Sequence, residues 1–470
     1  MANVSQISAA ISAKQRYLAL AAAFLGWMFA GLQISSFALV TRPAILSMSE
    51  DRAPQSAAGR VEAERDAKVW FSWYQAAFLL GAAAGGWVFG ALGDRVGRAR
   101  ALGYSVLTYS VVAGAGYFAT TPEALLAVRF ISCLGVGGVW PTAVALVSET
   151  WSDFSRPLLA GLLGTAANFG FVFLGLLGGY RFIVPEDWRW VMLVCAAPAA
   201  IGAATLLLVR EPPRWLAGRA ASTKRRNSLG EVLRPPYLRR TILGVVLAAV
   251  PVVGTAVNAV WVTPWSDHVS SQRANRGDAD EAECDVARPS QDRTRTVRPK
   301  SVQSSSWLPR FDDSRARAAW TQVTRSSGAA LGSLLGGWLA TLAGRRLAYF
   351  LISLASLGIS ATLYGRLDPS MPHFSWFVFA LGFAGVTYFG WLPLYLPELF
   401  PTRIRATGTG VTFNSGRVVA AVAAIATASA IMSVDNLNYA QIGLWTSGIY
   451  AIGLVAILFA PDTSQHGLED

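Results

Sequence analysis

Charged residues are scarce in this sequence. Of its 470 residues, 14% are charged, whereas a soluble domain usually carries about 25%. A chain with so few charges cannot cover a large water-exposed surface, so its composition argues against a soluble globular protein. The hydrophobic share is 53% and the mean hydropathy is +0.40, which indicates a protein whose main solvent is lipid.

Cysteine and histidine are equally scarce, at three residues each. Two of the cysteines, Cys133 and Cys195, lie in apolar segments and the third in a polar one, so neither a disulfide framework nor a zinc motif is indicated. The histidines lie outside the apolar segments, and no nucleophile accompanies them. The sequence therefore predicts no enzyme, no metal site and no cofactor.

Long apolar segments dominate what is present. Crossing a hydrocarbon core about 30 Å thick takes roughly 20 apolar residues as a helix, which satisfies its own backbone. Twelve such segments occur, six on each side of a basic linker. They lie at residues 17–40, 70–92, 101–119, 122–148, 157–179, 189–209, 240–263, 319–342, 347–366, 374–396, 408–430 and 439–460. We predict an all-α membrane protein with twelve transmembrane helices in two pseudo-symmetric six-helix bundles, with halves 1–209 and 239–470 around a linker 210–238.

The first apolar segment is predicted to remain in the mature protein. Residues 1–16 are polar, and the segment 17–40 is long for a signal-peptide core and lacks a clear cleavage site. We expect a multi-pass protein of the plasma or inner membrane, surrounded by lipid and monomeric.

The positive charges are concentrated in alternate loops. Arginines follow the second, eighth and tenth segments, and the linker 210–238 carries the highest density. Basic loops stay in the cytoplasm, so both termini and the linker are predicted to be cytoplasmic. This placement accounts for the net charge of +12 without a nucleic-acid partner. The polar loop 264–318 falls outside and is either weakly ordered or a small lid.

The two halves carry traces of an internal repeat. Glu149 and Arg156 flank the loop after the fourth segment, and Glu398 and Arg405 flank the loop after the tenth. Both pairs are related by the same offset, 398 − 149 and 405 − 156, or 249 residues. Transporters built from duplicated halves bind their solute near the bilayer midplane between the halves.

Several motifs resemble those of one transporter family. Residues 90–100 read GALGDRVGRAR, which closely resembles the loop signature of the major facilitator superfamily. Arg129 precedes a glycine-rich stretch in the fourth segment, again as in that family. Residues 210–216 (REPPRWL) and 397–410 (PELFPTRIRATGTG) look like strings of its sugar and organic-ion porters. The resemblance covers both halves and implies a secondary transporter working by alternating access.

The resemblance also implies a cytoplasmic gate. Gly97 permits a tight turn, and Asp94 can pair with arginines or meet a helix N-terminus, which would latch one state of a rocking protein. The alternative is a solvated hairpin without a gating role. The loop 337–346 lacks the Asp–Arg pair, which predicts a latch set mainly by the first half. The gating candidates are Asp94, Arg95, Gly97, Arg98, Glu149, Arg156, Glu398 and Arg405.

A looser similarity concerns the branch within the family. Residues 26–33 (GWMFAGLQ), Trp140–Pro141 and Asn414–Arg417 are similar to the sialate and carboxylate proton symporters. Members of that branch often have aspartates in the first helix, where Ala30 and Gln33 stand in this sequence. The substitution leaves proton coupling in doubt.

Polar residues inside apolar segments are the candidates for solute binding, because a charge in the bilayer costs about 2.5–3.5 kcal/mol. Arg417 is nine residues into its segment, or about 14 Å deep. Asn414 shares its face, and the offset maps Arg417 onto Asn168. Each candidate could instead be a buried polar group satisfied by a neighbouring helix, or an arginine that extends to the interface. The remaining candidates are Arg129, Gln33, Gln75 and Arg325.

No aspartate or glutamate lies in the middle of any apolar segment. Arginines without acidic partners favour an anionic solute, such as a monocarboxylate or an acidic sugar. A neutral sugar porter is the alternative that the linker motif favours. A transporter-like sensor, which binds solute without moving it, is a further alternative.

Overall fold

The computed structural model describes most of the chain. The described ranges are 12–49, 57–151, 156–212, 215–216, 228–272, 316–400, 405–433 and 438–461. These residues form helices and short connections, and no strand occurs among them. The expected all-α class is confirmed.

The described residues include twelve long helices in two sets of six, and a short helix at Ser228–Val232 lies in the linker between them. The first set is α1 (Ala13–Ser49), α2 (Ala57–Val96), α3 (Arg98–Ala115), α4 (Pro122–Thr150), α5 (Arg156–Tyr180) and α6 (Trp190–Ala196 and Ala199–Leu208). The second set is α7 (Leu238–Gln272), α8 (Arg317–Leu342), α9 (Arg345–Arg366), α10 (Phe374–Glu398), α11 (Arg405–Ser433) and α12 (Tyr439–Thr446 and Gly448–Ala456). Nine of the described helices are long and apolar enough to cross a bilayer. The helices α2, α3 and α8 do not meet both conditions, length and apolar composition, within the described residues.

Local sequence signals set several helix starts. Thr121 caps α4 by accepting a hydrogen bond from the Ala124 N–H, and Pro122 follows at the first helical position, where its missing N–H costs nothing. Gly97 and Gly344 precede α3 and α9 with φ of 130° and 79°. These values suit glycine, and the equivalent positions of the two glycines support the internal repeat.

Three helices extend beyond their apolar segments. α1 and α2 cover 13–49 and 57–96, and α7 continues to Gln272, so residues 264–272 are helical and not part of a loop. Hydropathy missed these turns because their residues are polar. Their side chains nevertheless find partners on other helices, which keeps the polar turns helical.

Glycines let helices approach closely within each half. A Cβ at Gly85 of α2 would overlap the carbonyl oxygen of Leu134 in α4, and a Cβ at Gly137 would overlap that of Ala82. In the second half, Gly328 and Gly332 of α8 meet backbone of α10 in the same way. Small residues at such crossings are the usual means of packing membrane helices.

Gly85→Ala is expected to destabilise the protein by about 1–3 kcal/mol, the usual cost of overpacking. Gly358→Ala in α9 is the matched control, since its new methyl group meets no atom within 4 Å. Thermal unfolding in detergent should show a lower Tm for the first variant and no decrease for the second. Equal Tm values would contradict the α2–α4 packing.

The two halves meet along two helix pairs, α2 with α11 and α5 with α8. These pairs correspond under the internal repeat, because α2 and α5 have the same places in the first half as α8 and α11 in the second. The end of α1, the start of α2 and the end of α7 lie at one face of the molecule, named the outer face because the predicted orientation places it outside. The two pairs form seams in which a solute could contact both halves.

Candidate functional site

Arg417 lies in the seam between α2 and α11. Its Nη1 donates to the carbonyl of Ala82 at 3.4 Å, and its guanidinium lies 5.0 Å from the ring centre of Phe413. The residue is 9% exposed. Asn414 faces the same helix, because a Cβ at Gly86 would lie 3.1 Å from its amide oxygen. The two residues therefore share the face of α11 that meets the first half.

Asn168 lies on α5 and is buried. Its neighbours one turn away, Gly164 and Phe171, approach Ser333 and Arg325 of α8. Helical spacing thus places Asn168 on the face toward α8. The structure puts Arg417 and Asn168 in the two corresponding seams and not against each other.

Arg129 and Gln33 come together inside the first half. The Arg129 guanidinium donates from Nη1 to the Gln33 carbonyl at 2.9 Å and from Nη2 to the Ile34 carbonyl at 3.3 Å. It stacks on Phe37 at 3.8 Å. The Gln33 amide donates to Ser132 Oγ at 3.2 Å. These contacts join α4 to α1. Two guanidinium nitrogens of Arg129 donate to backbone carbonyl groups, whereas Arg417 donates from Nη1.

Gln75 and Arg325 occupy the outer parts of α2 and α8. Gln75 is 6% exposed. The Arg325 guanidinium lies 5.9 Å from the ring centre of Phe171, across the seam between α5 and α8. The structure therefore places Arg325 between the halves and Arg129 within one of them.

Three arginines of the membrane core have no acidic partner within the described part of the chain. Arg129 and Arg417 are buried and Arg325 is partly buried, and the titratable groups near all three are cysteines and tyrosines. Arg345, at a helix end, is by contrast paired with Glu398 at 2.8 Å. An unpaired guanidinium away from water is stabilised by an anion.

An ion-pair cluster closes the outer face. Arg42 of α1 contacts Glu64 of α2 and Asp267 of α7, each at 2.5 Å, and His268 Nδ1 lies 3.3 Å from the Glu64 carboxylate. Beneath it, the rings of Phe71 and Trp261 pack at a tilt of 48° with centres 4.6 Å apart. Because α1 and α2 belong to the first half and α7 to the second, these contacts hold the halves together at this face.

Glu64 lies outside the apolar segment 70–92. Burial would raise the pKa of Glu64, but the hydrogen bond with His268 and the charge of Arg42 outweigh it and lower the pKa to about 2. The carboxylate is therefore ionised in this arrangement.

Comparisons with known proteins agree with this architecture. Residues 66–269 match the model of the Major Facilitator Superfamily. This match covers less than half of the chain, and the matched region belongs to the major facilitator superfamily. It is 26% identical to the niacin transporter NiaP of Acinetobacter baylyi over 99% of this chain and 98% of that protein. It is 33% identical to the Escherichia coli inner membrane metabolite transport protein YgcS, over 29% of this chain and 31% of that protein.

A solved structure shows the same fold. The xylose transporter XylE from E. coli superposes with a TM-score of 0.64 at 16% identity, covering 96% of this chain and 98% of that one. The expected superfamily, the twelve-helix fold and a secondary transporter that is not an enzyme are confirmed.

An ion pair occurs in each half among the described residues of the loops predicted to be cytoplasmic. Arg98 meets Glu149 at 3.1 Å, and Arg345 meets Glu398 at 2.8 Å. The loop 337–346 thus keeps an arginine–glutamate pair although it lacks the Asp–Arg motif. The expectation of a latch set mainly by the first half stays a prediction.

The linker is attached to the signature loop. Glu211 accepts hydrogen bonds from the N–H groups of Ala99 and Arg100 at 3.1 and 3.0 Å, where a carboxylate is stabilised by the first turn of α3. Arg95 is exposed and Gly97 forms the predicted turn. The side chains of Asp94, Arg156 and Arg405 lie outside the described part of the structure, so their predicted gating roles stay predictions.

The outer cluster is a candidate functional feature that sequence reasoning missed. Arg42 and Asp267 are 225 residues apart, and nothing in the order of residues links them. Two signals were available, because Arg42 and Asp267 each lie within a few residues of the end of an apolar segment. A charged residue at the end of an apolar segment is commonly interpreted as marking the membrane boundary. The pairing of Arg42 with Asp267 at the outer face was therefore not predicted.

Proposed function

We propose that this transporter carries small organic acids and that Arg417 binds the solute carboxylate. The observation that carries the proposal is the set of arginines in the membrane core without an acidic partner among the described residues. An arginine–carboxylate contact at 4 Å and an effective dielectric near 20 is worth about 4 kcal/mol before desolvation. A neutral solute would leave these charges uncompensated.

Arg417 is favoured over the other arginines by its contacts. Its hydrogen bond to the Ala82 carbonyl is a long one of 3.4 Å, whereas Arg129 donates twice to carbonyl groups of α1. The planar guanidinium can donate two parallel hydrogen bonds to a carboxylate. Its position in a seam between the halves lets the solute contact both of them, as alternating access requires.

The named relatives support an organic acid as a first probe. A protein similar over nearly its whole length is named a niacin transporter, and nicotinate is a small aromatic monocarboxylate. Uptake of labelled nicotinate, benzoate and xylose into proteoliposomes, with and without a pH gradient, tests the function. We expect the two acids to enter and xylose to be excluded. Uptake of xylose alone would support a sugar porter, and binding without uptake would support a sensor.

The same experiment tests whether solute transport is coupled to protons. A monoanion entering against 100 mV, inside negative, meets about 2.3 kcal/mol of opposition, so uncoupled uptake needs a solute gradient. With Ala30 and Gln33 buried in α1, we propose transport that does not depend on a protonatable residue of that helix. Strong accumulation driven by a pH gradient would contradict a facilitator and require a proton site elsewhere.

We also infer that both termini and the linker are cytoplasmic, because the linker and the loops after α2, α8 and α10 carry the arginines. An impermeant thiol reagent applied to intact cells, with any outer membrane permeabilised, should label Ser304→Cys and not Ser228→Cys in a cysteine-free background. Lysed cells provide the control in which both are labelled. The reverse pattern in intact cells would overturn the orientation.

A further inference from the structure

One turn of α8 contains an unusual set of unsatisfied polar atoms. Both amide atoms of Gln322, Nε of Arg325 and Oγ of Ser326 are buried and have no hydrogen-bond partner among the described residues. Gln322 is 0% exposed and Ser326 is 1% exposed. Buried polar groups in folded proteins are nearly always paired, so four orphaned atoms in one turn call for an explanation such as a ligand.

Asn258, a buried polar side chain of the same half, is satisfied. The Asn258 amide donates to the Gly443 carbonyl at 2.7 Å and to Thr446 Oγ1 at 3.0 Å, and its oxygen accepts from Ser360 Oγ at 2.9 Å. Thr263 Oγ1, Ser356 Oγ and Tyr450 OH of this half also lack a partner among the described residues, whereas four such atoms lie together within residues 322–326 of α8.

The turn lies at the boundary between the halves. Thr321 donates to Ser266 of α7 at 2.8 Å, a Cβ at Gly175 of α5 would lie 2.6 Å from Val323, and the Arg325 guanidinium faces Phe171 of α5. Separation of α8 from α5 during transport would expose these groups to a solute. In this structure the outer face is closed and these groups are buried. This is what we expect of a subsite that is covered while no solute is bound.

We propose that Gln322, Arg325 and Ser326 form a second solute subsite, which binds a hydrogen-bond-accepting substituent of the organic acid. The proposal rests on the proposed function, in which Arg417 binds the carboxylate. Arg417 lies in the α2–α11 seam and this turn in the α5–α8 seam, so the proposal requires both seams to open onto one cavity between the halves. The turn offers donors from the amide, the guanidinium and the hydroxyl, and a site built from buried donors rejects analogues that leave those donors unpaired. The subsite thus selects acids with a ring nitrogen, hydroxyl or carbonyl over acids without one.

Equilibrium binding of three similar acids to the purified full-length protein tests the subsite. The probes are benzoate, which has no second acceptor, nicotinate, with a ring nitrogen, and 3-hydroxybenzoate. We expect the wild type to bind the last two about tenfold more tightly than benzoate. Gln322→Leu should abolish this preference while benzoate affinity stays within about twofold, because leucine keeps the volume and removes the amide.

A second, smaller substitution keeps the test informative if the Gln322→Leu protein does not fold. Ser326→Ala should reduce the preference about threefold, and Ser110→Ala should leave it unchanged, since the Ser110 hydroxyl already donates to the Val106 carbonyl of its own helix. A preference that persists in a folded Gln322→Leu protein would overturn the subsite, as would equal binding of all three acids by the wild type. In both cases the carboxylate contact would survive. Failure of the wild type to bind any of the acids would overturn the proposed function and the subsite with it.

Discussion

Arg417→Ala should abolish high-affinity binding of organic acids, with nicotinate affinity falling about 30-fold or more. Removing one partner of a buried charge-assisted contact usually costs 2–5 kcal/mol. Arg417→Lys keeps the charge but loses the planar fork, so its affinity should fall about tenfold. Titration calorimetry on the purified variants measures both effects.

Arg189→Ala is the matched control for the loss of an arginine. Arg189 also donates to a backbone carbonyl, that of Ala119 at 3.2 Å, but it lies outside both seams. Its substitution should leave nicotinate affinity unchanged within about twofold. Wild-type binding by Arg417→Ala, or an equal loss in the two alanine variants, would refute the contact.

Arg42→Gln should release the outer closure. The substitution removes the charge that holds Glu64 and Asp267 together across the halves and leaves two carboxylates without their shared partner, which is strongly unfavourable for the closed state. We expect a shift toward an outward-open state. A cysteine at Ala38, which is 8% exposed and packs in the cluster of Phe71 and Trp261, should then react with an impermeant thiol reagent at least about tenfold faster.

Arg181→Gln provides the control for this measurement. Arg181 pairs with Asp187 at 2.8 Å, and the two side chains are 56% and 49% exposed, so this pair contributes little and joins no halves. Its loss should leave the reactivity of Ala38→Cys unchanged. Equal reactivity in the wild type and Arg42→Gln would show that the Arg42 cluster does not hold the outer face closed.

The sequence predicted the fold well because the bilayer imposes a strong constraint. Any chain that crosses it repeatedly must do so in apolar helices, so the twelve segments could be read directly. The ends of the helices were harder, since Glu64 and Asp267 stop the apolar pattern without stopping the helix. Hydropathy measures the preference for lipid and cannot show that two distant polar turns pair with each other.

The candidate site was predicted unevenly for a related reason. Arg417 was found because an arginine in mid-segment is costly and therefore conspicuous. The sequence could not show that Arg129 is bound to carbonyl groups of α1, or that the Gln322 amide has no partner among the described residues. Both facts depend on which helices lie side by side. An uncharged glutamine near the start of a segment is also common on the surface of membrane helices, so Gln322 was not singled out.

The most direct test of the anion-binding account compares solutes that differ in charge and little else. Nicotinate and nicotinamide form one such pair, and benzoate and benzamide form another. Binding to the purified wild-type protein should favour the acid over its amide by about 30-fold in each pair, because an amide cannot compensate the guanidinium of Arg417, and Arg417→Ala should remove most of that difference. Equal affinity for acid and amide, or tighter binding of the amides, would contradict the account.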